Sequence, residues 1–288
     1  MPTIKDYQMD IKPNWCPGCG DFSVLAAIQK VSVKLGIETE DMALISGIGC
    51  SGRISGYLNV YSMHTMHGRA LSVAQGVKLA NPNLHVICAG GDGDGFGIGL
   101  NHFAHAARRN VDITYIVMDN QIYGLTKGQM SPTSPQGMET KSSPKGNPEQ
   151  AINPLQMALA SGSSFIAQAF SGNIKQLMSL IEQGMQHKGF SFINVFSPCV
   201  TFNKLLSYDF LKKNLINLDE MEGYDPTNKG MAFNMVEEKA NMFTGVLYKN
   251  ERKTYPEALP SNSGSNMLNS GTFTLDEAAK ANLIKNFV

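Results

Sequence analysis

The chain has 288 residues, 42% apolar and 17% charged, and its 24 basic side chains balance its 24 acidic ones. That balance, without a long run of one sign, argues against a nucleic-acid or anionic-membrane surface, and no apolar run approaches the roughly 18 residues of a membrane span. Length and apolar content predict one large α/β domain with appendages. Five cysteines in such a chain point to metal or redox chemistry before disulfides. The N-terminus, MPTIKDYQMD, has no basic segment leading into an apolar one, so the expected location is the cytoplasm.

Residues 1–15 are polar and read as a surface segment. They lead into Trp15-Cys16-Pro17-Gly18-Cys19-Gly20-Asp21, a tight turn that presents two thiols on one side. Such a turn serves zinc, an iron–sulfur cluster or a redox pair equally well. Asp21 is the expected N-cap of a helix over 21–35, with Val24, Leu25, Ile28, Val31 and Leu35 on one face and Gly36 as its stop. A short strand within 41–46 is followed by Gly47-Ile48-Gly49-Cys50-Ser51-Gly52-Arg53, where the glycines allow close approach of backbone to a ligand. The segment MHTMHGR then opens a helix over 70–80, with Val73 and Val77 expected inside. Arg53, His64, His67 and Arg69 gather as candidates for carboxylate or diphosphate contacts.

The apolar run 84–89 (LHVICA) reads as a strand with Cys88 packed in the core. It feeds GGDGDGFGIG at 90–99 and then a helix over 100–109. A strand, a glycine-rich turn and a helix together make a mouth of backbone N–H groups for an anion. Asp92 inside that turn makes chemical sense with a divalent cation between carboxylate and phosphate. A second strand, 111–118, ends at Asp119-Asn120-Gln121-Ile122-Tyr123-Gly124. If the two strands are parallel neighbours, Asp92 and Asn120 face each other at the sheet edge where ligands of open α/β sheets bind.

From Tyr123 to Pro154 the chain stays polar and rich in Gly and Pro, a loop long enough to suggest function or an interface. Beyond it the pattern predicts a helix over 154–161 and a strand over 165–170. A helix from Asn173 follows, with Ile174, Leu177, Met178, Ile181 and Met185 on one face. A strand over 190–196 then ends at Ser197-Pro198-Cys199. After 200 the pattern weakens: a helix within 224–243, a short strand over 244–248 and a low-complexity stretch at 261–271. The expected organisation is therefore an α/β domain over 1–199 and a C-terminal extension over 200–288 that packs on the domain or on a partner. Four cysteines lie in loops, and by count they fit structural zinc or a [4Fe–4S] cluster. A single CxxC knuckle, with two distant single cysteines, tilts the choice toward the cluster.

Gly91-Asp92-Gly93, followed by Asn120, resembles the thiamine diphosphate motif. The resemblance implies Mg²⁺ held by Asp92, Asn120 and the Ile122 carbonyl. More broadly, WCPGCGDF, GIGCSGR, HTMHGRA, GGDGDG, HAARRN, DNQIYGLTKGQMSPTS and SPC resemble, in order over 15–199, the β subunit of 2-oxoacid:ferredoxin oxidoreductases. YGLTKGQ is closer to the 2-oxoglutarate branch than to the pyruvate branch. The resemblance implies a thiamine diphosphate-binding fold, with a mostly parallel sheet and helices on both faces. It also implies that Cys16, Cys19, Cys50 and Cys199 carry one [4Fe–4S] cluster. Gly47, Ile48, Gly49, Cys50 and His67 would line the cofactor, and Gly91, Asp92, Gly93, Asp94, Gly124, Leu125 and Thr126 would surround its diphosphate.

The implied reaction is oxidative decarboxylation of a 2-oxoacid to an acyl-coenzyme A, with electrons passed singly through the cluster to ferredoxin. Arg53 or Lys127 would hold the substrate carboxylate, and His67 completes the catalytic set. No Glu lies in the pocket loops, since Glu139 and Glu149 fall in the long polar segment. In the resembling family the activating glutamate comes from an α subunit, so an αβ or (αβ)2 assembly is expected. Two rivals remain: a non-oxidative thiamine diphosphate decarboxylase or synthase, and a zinc-stabilised binding subunit without a redox role.

Overall fold

The computed structural model describes residues 1–259 and the single positions 278, 281, 282 and 285. The 261–271 stretch lies outside the described residues. Eight strands form one sheet in the order β2-β1-β3-β4-β6-β5-β8-β7. In chain order they are β1 (Met42–Ser46), β2 (Tyr61–His64), β3 (His85–Gly91), β4 (Ile113–Asp119), β5 (Phe165–Phe170), β6 (Phe190–Phe196), β7 (Ile216–Asn217) and β8 (Phe243–Lys249). Every pairing is parallel except that of β5 with β8.

The central strands are apolar on both faces, as a parallel sheet covered on both sides requires. Along β4, Ile113, Tyr115 and Val117 enter one core and Ile116 and Met118 the other. Helices α1 (Asp21–Lys34) and α6 (Ile174–Gln186) cover the second of these faces. Helices α2 (Ala70–Ala80), α4 (Leu100–Arg109), α5 (Pro154–Ser161) and α8 (Lys229–Glu238) cover the first. No helix of the described residues is long and apolar enough to cross a membrane.

Several local expectations are corrected. The N-cap of α1 is Gly20, and Asp21 is its first helical residue, buried with its Oδ1 accepting from Ser197 Oγ at 2.7 Å. The fully buried residues of α2 are Ala70, Leu71, Ala74, Gln75 and Lys78, and Val73 and Val77, partly buried, pack against the same core as expected. Lys78 sits inside because its ammonium reaches Asp112 at 2.8 Å and the Leu84 carbonyl at 2.9 Å. GDGDG does not stay a turn; it winds into a short helix, α3 (Asp92–Phe96). After residue 200 the chain adds an unforeseen helix, α7 (Tyr208–Asn214), while α8 falls within 224–243 and β8 covers 244–248 as expected, β8 joining the main sheet beside β5.

The register decides where chemistry can occur. Ser46 pairs with Ala89, Gly91 with Met118 and Asp119 with Phe196, so β1, β3, β4 and β6 finish along one edge. The loops that follow them must meet there, at the carboxyl edge where open α/β sheets bind ligands.

Candidate functional site

Those loops line an open cleft. Of the residues expected around a cofactor, Ile48, Gly49, Cys50, His67, Gly91, Asp92, Gly93, Asp94, Asn120, Ile122, Gly124, Leu125 and Thr126 line it. Gly47 stands behind the wall, where an added Cβ would fall 1.9 Å from Asp94 Oδ2. Ser51 and Tyr123 line the cleft as well, and sequence reasoning missed both. Tyr123 donates its hydroxyl to the Gly93 carbonyl at 2.9 Å, so the ring packs against a glycine that could carry no side chain.

Arg53 and Lys127 are not on the cleft wall. Arg53 is half-buried in the 3-10 turn Ser51–Gly56, close enough to Cys50 to act on its thiol electrostatically. Lys127 is exposed on the turn after Thr126, with φ at +83°, and borders a neighbouring groove with Glu139, Lys141 and Phe202. His64 is exposed at the end of β2, with its Nδ1 at 2.9 Å from the Gly52 carbonyl. Arg69 donates to the carbonyl of His67 at 3.2 Å.

Asp92 is buried at the start of α3. Its Oδ2 accepts from Thr133 Oγ1 at 2.6 Å, and Oδ1 has only a long contact, 3.4 Å, from the Asn120 amide. Asn120 Oδ1 accepts from the Ile122 amide at 3.1 Å, and the Asn120 carbonyl accepts from Asn203 at 2.9 Å. No donor among the described residues meets the Ile122 carbonyl. Three hard oxygens, Asp92 Oδ1, Asn120 Oδ1 and the Ile122 carbonyl, thus retain coordinating capacity in one loop cluster, a donor set that suits Mg²⁺. Burial holds the Asp92 carboxyl above its ordinary range. Beside it Asp119, missed by sequence reasoning, is pushed up to about 7 by burial and by Asp92. Asn194, Thr133 and the Gln121 amide keep Asp119 hydrogen-bonded.

The loops are tied to one another through Asp94. Its Oδ1 accepts from the Ile48 amide at 3.0 Å and the Gly68 amide at 2.8 Å, and His67 Nδ1 lies 3.2 Å away. The Gly47 amide is also occupied, by the Ala89 carbonyl at 3.0 Å. Two of the amides in the GIGC loop are therefore spent on the protein itself.

The four loop cysteines gather at the same edge. The CxxC turn closes through the Cys19 amide and the Cys16 carbonyl at 2.9 Å, and Gly20 packs on the Ser197-Pro198 backbone. There an added Cβ would fall 2.8 Å from Ser197 Cα. Trp15 Nε1 donates to the Cys50 carbonyl at 2.7 Å, with its ring edge-on to Tyr57 and Phe22. A Cβ on Gly124 would lie 3.6 Å from Cys199 Sγ and 3.8 Å from Cys50 Sγ, so the turn that walls the cleft also touches the thiols. Burial, then Asp21, pushes the Cys50 thiol up to about 11 and the Cys19 thiol further; Cys199 adds to both. Cys88 is fully buried inside β3, as expected of core packing.

Among the described residues no three His, Cys, Asp or Glu side chains close on a single ion. A tetrahedral zinc would draw its sulfurs to about 2.3 Å from one point, whereas a cluster spreads four thiolates over separate irons. Four loop thiols near one another at this edge can supply either group.

The thiamine pyrophosphate enzyme C-terminal TPP-binding domain matches residues 47–195, and the family describing the C-terminal part of the pyruvate ferredoxin oxidoreductase β subunit matches 199–263. A 2-oxoacid:ferredoxin oxidoreductase β subunit of Aeropyrum pernix is 41% identical, over 91% of this chain and 86% of the relative. The 2-oxoglutarate synthase subunit KorB of Archaeoglobus fulgidus is 42% identical, over 75% of this chain and 83% of the relative. A solved 2-oxoglutarate:ferredoxin oxidoreductase from Magnetococcus marinus, with 2-oxoglutarate, coenzyme A and succinyl-CoA bound, superimposes with a TM-score of 0.90. It is 41% identical and covers 98% of this chain and 96% of that one.

Proposed function

Since the chain belongs to the β subunits of 2-oxoacid:ferredoxin oxidoreductases, we propose that its cleft holds Mg²⁺ and thiamine diphosphate beside a [4Fe–4S] cluster. In an assembly with an α subunit it would convert 2-oxoglutarate and coenzyme A to succinyl-coenzyme A, CO₂ and reduced ferredoxin. The observation that carries this reading is the Gly124 turn, which forms part of the cleft wall on one side and meets Cys50 and Cys199 on the other.

Bound there, thiamine diphosphate would supply a carbon nucleophile and an electron store, and a cluster would supply one-electron transfer. The chain's own residues set position and charge. Asp92, Asn120 and the Ile122 carbonyl would hold Mg²⁺, with Thr133 fixing the outer oxygen of Asp92. Cys16, Cys19, Cys50 and Cys199 would hold the cluster as thiolates, since a coordinating metal deprotonates even a thiol that burial has pushed up. Arg53 and Lys127, both off the cleft wall, would have to reach a substrate carboxylate from its rim. Among the described residues the cleft wall contains Asp but no Glu, which supports an activating glutamate brought by the α subunit in an αβ or (αβ)2 assembly.

The 2-oxoglutarate preference rests on the relatives of that name and on YGLTKGQ. The test is a substrate panel on the co-expressed, anaerobically purified complex. Ferredoxin reduction should require coenzyme A and favour 2-oxoglutarate. Preference for pyruvate would move the chain to the other branch, and turnover without an electron acceptor would favour the non-oxidative rival.

A further inference from the structure

We propose that Asn203 is a positioning residue for the metal turn: its side-chain amide engages the Asn120 main-chain carbonyl, so that the Asn120 side-chain oxygen and the Ile122 carbonyl are left to reach Mg²⁺. This inference rests on the function proposed above. The donor comes from the segment that follows Cys199, so the C-terminal part of the chain takes a place in the site.

The turn after β4 presents its main-chain carbonyls in succession. That of Asp119 accepts from the Ser197 amide at 2.9 Å, that of Asn120 from Asn203 Nδ2 at 2.9 Å, and that of Gln121 from Ser134 Oγ at 2.7 Å. The next, Ile122, meets no donor among the described residues. A buried carbonyl needs a partner, and one already engaged cannot turn toward an ion without giving up its bond. The turn requires such restraint because Gln121 sits at φ +57°, the left-handed region that disfavours a residue with a Cβ. In that conformation the Ile122 amide meets Asn120 Oδ1 at 3.1 Å, so both proposed ligands belong to one closed turn.

Asn203 is itself held. It is 2% exposed, its amide N–H donates to the Cys199 carbonyl at 3.1 Å, and its Oδ1 accepts from the Leu205 and Leu206 amides at 3.0 and 3.2 Å. With Oδ1 taken by two donors, the side-chain amide has one orientation, Nδ2 toward Asn120. The residue that steadies the metal turn therefore hangs on a proposed cluster ligand.

The test uses the anaerobically purified αβ complex with thiamine diphosphate present and Mn²⁺ as the probe of the Mg²⁺ site, its uptake read from loss of the free-ion EPR signal. Asn203→Thr keeps an oxygen for the Leu205 and Leu206 amides, reaches one bond less far and so misses the Asn120 carbonyl, and fills the gap with a methyl. Asn203→Leu removes donor and acceptor together. Both should bind Mn²⁺ at least tenfold more weakly than wild type. Asn203→Thr should unfold at a higher urea concentration than Asn203→Leu yet bind Mn²⁺ no better. Its ferredoxin reduction should need correspondingly more Mg²⁺ and regain the wild-type kcat once Mg²⁺ saturates. Wild-type affinity in Asn203→Thr, affinities that follow the urea midpoints, or a kcat that saturating Mg²⁺ does not restore would overturn the proposal. If neither variant assembles, a wild-type crystal soaked in Mn²⁺ decides: the anomalous peak should lie against Asn120 Oδ1 and the Ile122 carbonyl, and a peak against the Asn120 main-chain carbonyl would overturn it. A wild-type complex that takes up no Mn²⁺ would defeat the function proposed above, whereas normal uptake by both wild type and Asn203→Thr defeats this inference alone.

Discussion

Thr133 donates its hydroxyl to Asp92 Oδ2 at 2.6 Å, which leaves Oδ1 as the oxygen with capacity to spare. The bond crosses from the long polar loop to the glycine-rich turn, and it positions the only carboxylate in the proposed magnesium set. Thr133→Val should leave a buried carboxylate short of a partner, at a cost of about 1–3 kcal/mol. Affinity for Mg²⁺ and thiamine diphosphate, measured by calorimetry on the complex, should fall about tenfold or more, and Thr133→Ser should restore most of it. Equal affinity in wild type and Thr133→Val would remove Thr133 from this role.

Gly47→Ala tests the clamp behind the cleft. The new methyl would fall 1.9 Å from Asp94 Oδ2, closer than atoms can approach, so the Ile48 and Gly68 anchors must move. The expected cost is about 1–3 kcal/mol of stability, typical of overpacking, with loss of thiamine diphosphate binding. A urea melt and a binding titration would show both; an unchanged titration would mean that the cleft tolerates a displaced Asp94.

Trp15 supports the loop proposed to carry the cluster through its indole N–H on the Cys50 carbonyl at 2.7 Å. Trp15→Phe keeps most of the ring packing but removes the donor, for a loss of about 1 kcal/mol. The brown chromophore of the anaerobically prepared complex should then bleach faster in air. A bleaching rate equal to that of wild type would show that the bond does not protect the cluster.

His187 predicts a pH effect away from the cleft. Its Nε2 lies 2.7 Å from Ser164 Oγ, and burial lowers its affinity for a proton from the ordinary value of 6.5. The unfolded chain therefore protonates this ring first as pH falls. The stabilising contribution is complete above 6.5 and is lost as pH drops through the lowered native value. The urea midpoint should fall between pH 8 and pH 5.5 by more in wild type than in His187→Gln. Equal falls would assign the acid sensitivity elsewhere.

Much of the fold was legible because the elements that carry it have strong periods. The ranges 70–80, 100–109, 154–161, 165–170 and 190–196 agree with α2, α4, α5, β5 and β6 residue for residue. β2 escaped because all four of its residues are exposed on an edge strand and follow no apolar alternation. α3 escaped because it begins Asp-Gly-Asp-Gly, poor helix formers held helical by tertiary contacts such as Asp94 with two backbone amides. In the site, motif spacing pointed to Asp92, Asn120 and the loop cysteines, which the fold brings to one sheet edge. It could not identify Thr133 or Asp119, whose parts depend on how the long polar loop folds back over β3 and β4. Nor could it show that Arg53 and Lys127 stand off the cleft wall.

The central claim is that four remote cysteines meet at one redox centre against the cofactor cleft. The most direct measurement is iron, sulfide and zinc content of the anaerobically purified complex, compared between wild type and Cys50→Ser. For this chain the account predicts about four irons and four sulfides, lost in Cys50→Ser, with no stoichiometric zinc. One zinc and no iron, or iron content indifferent to Cys50, would contradict it.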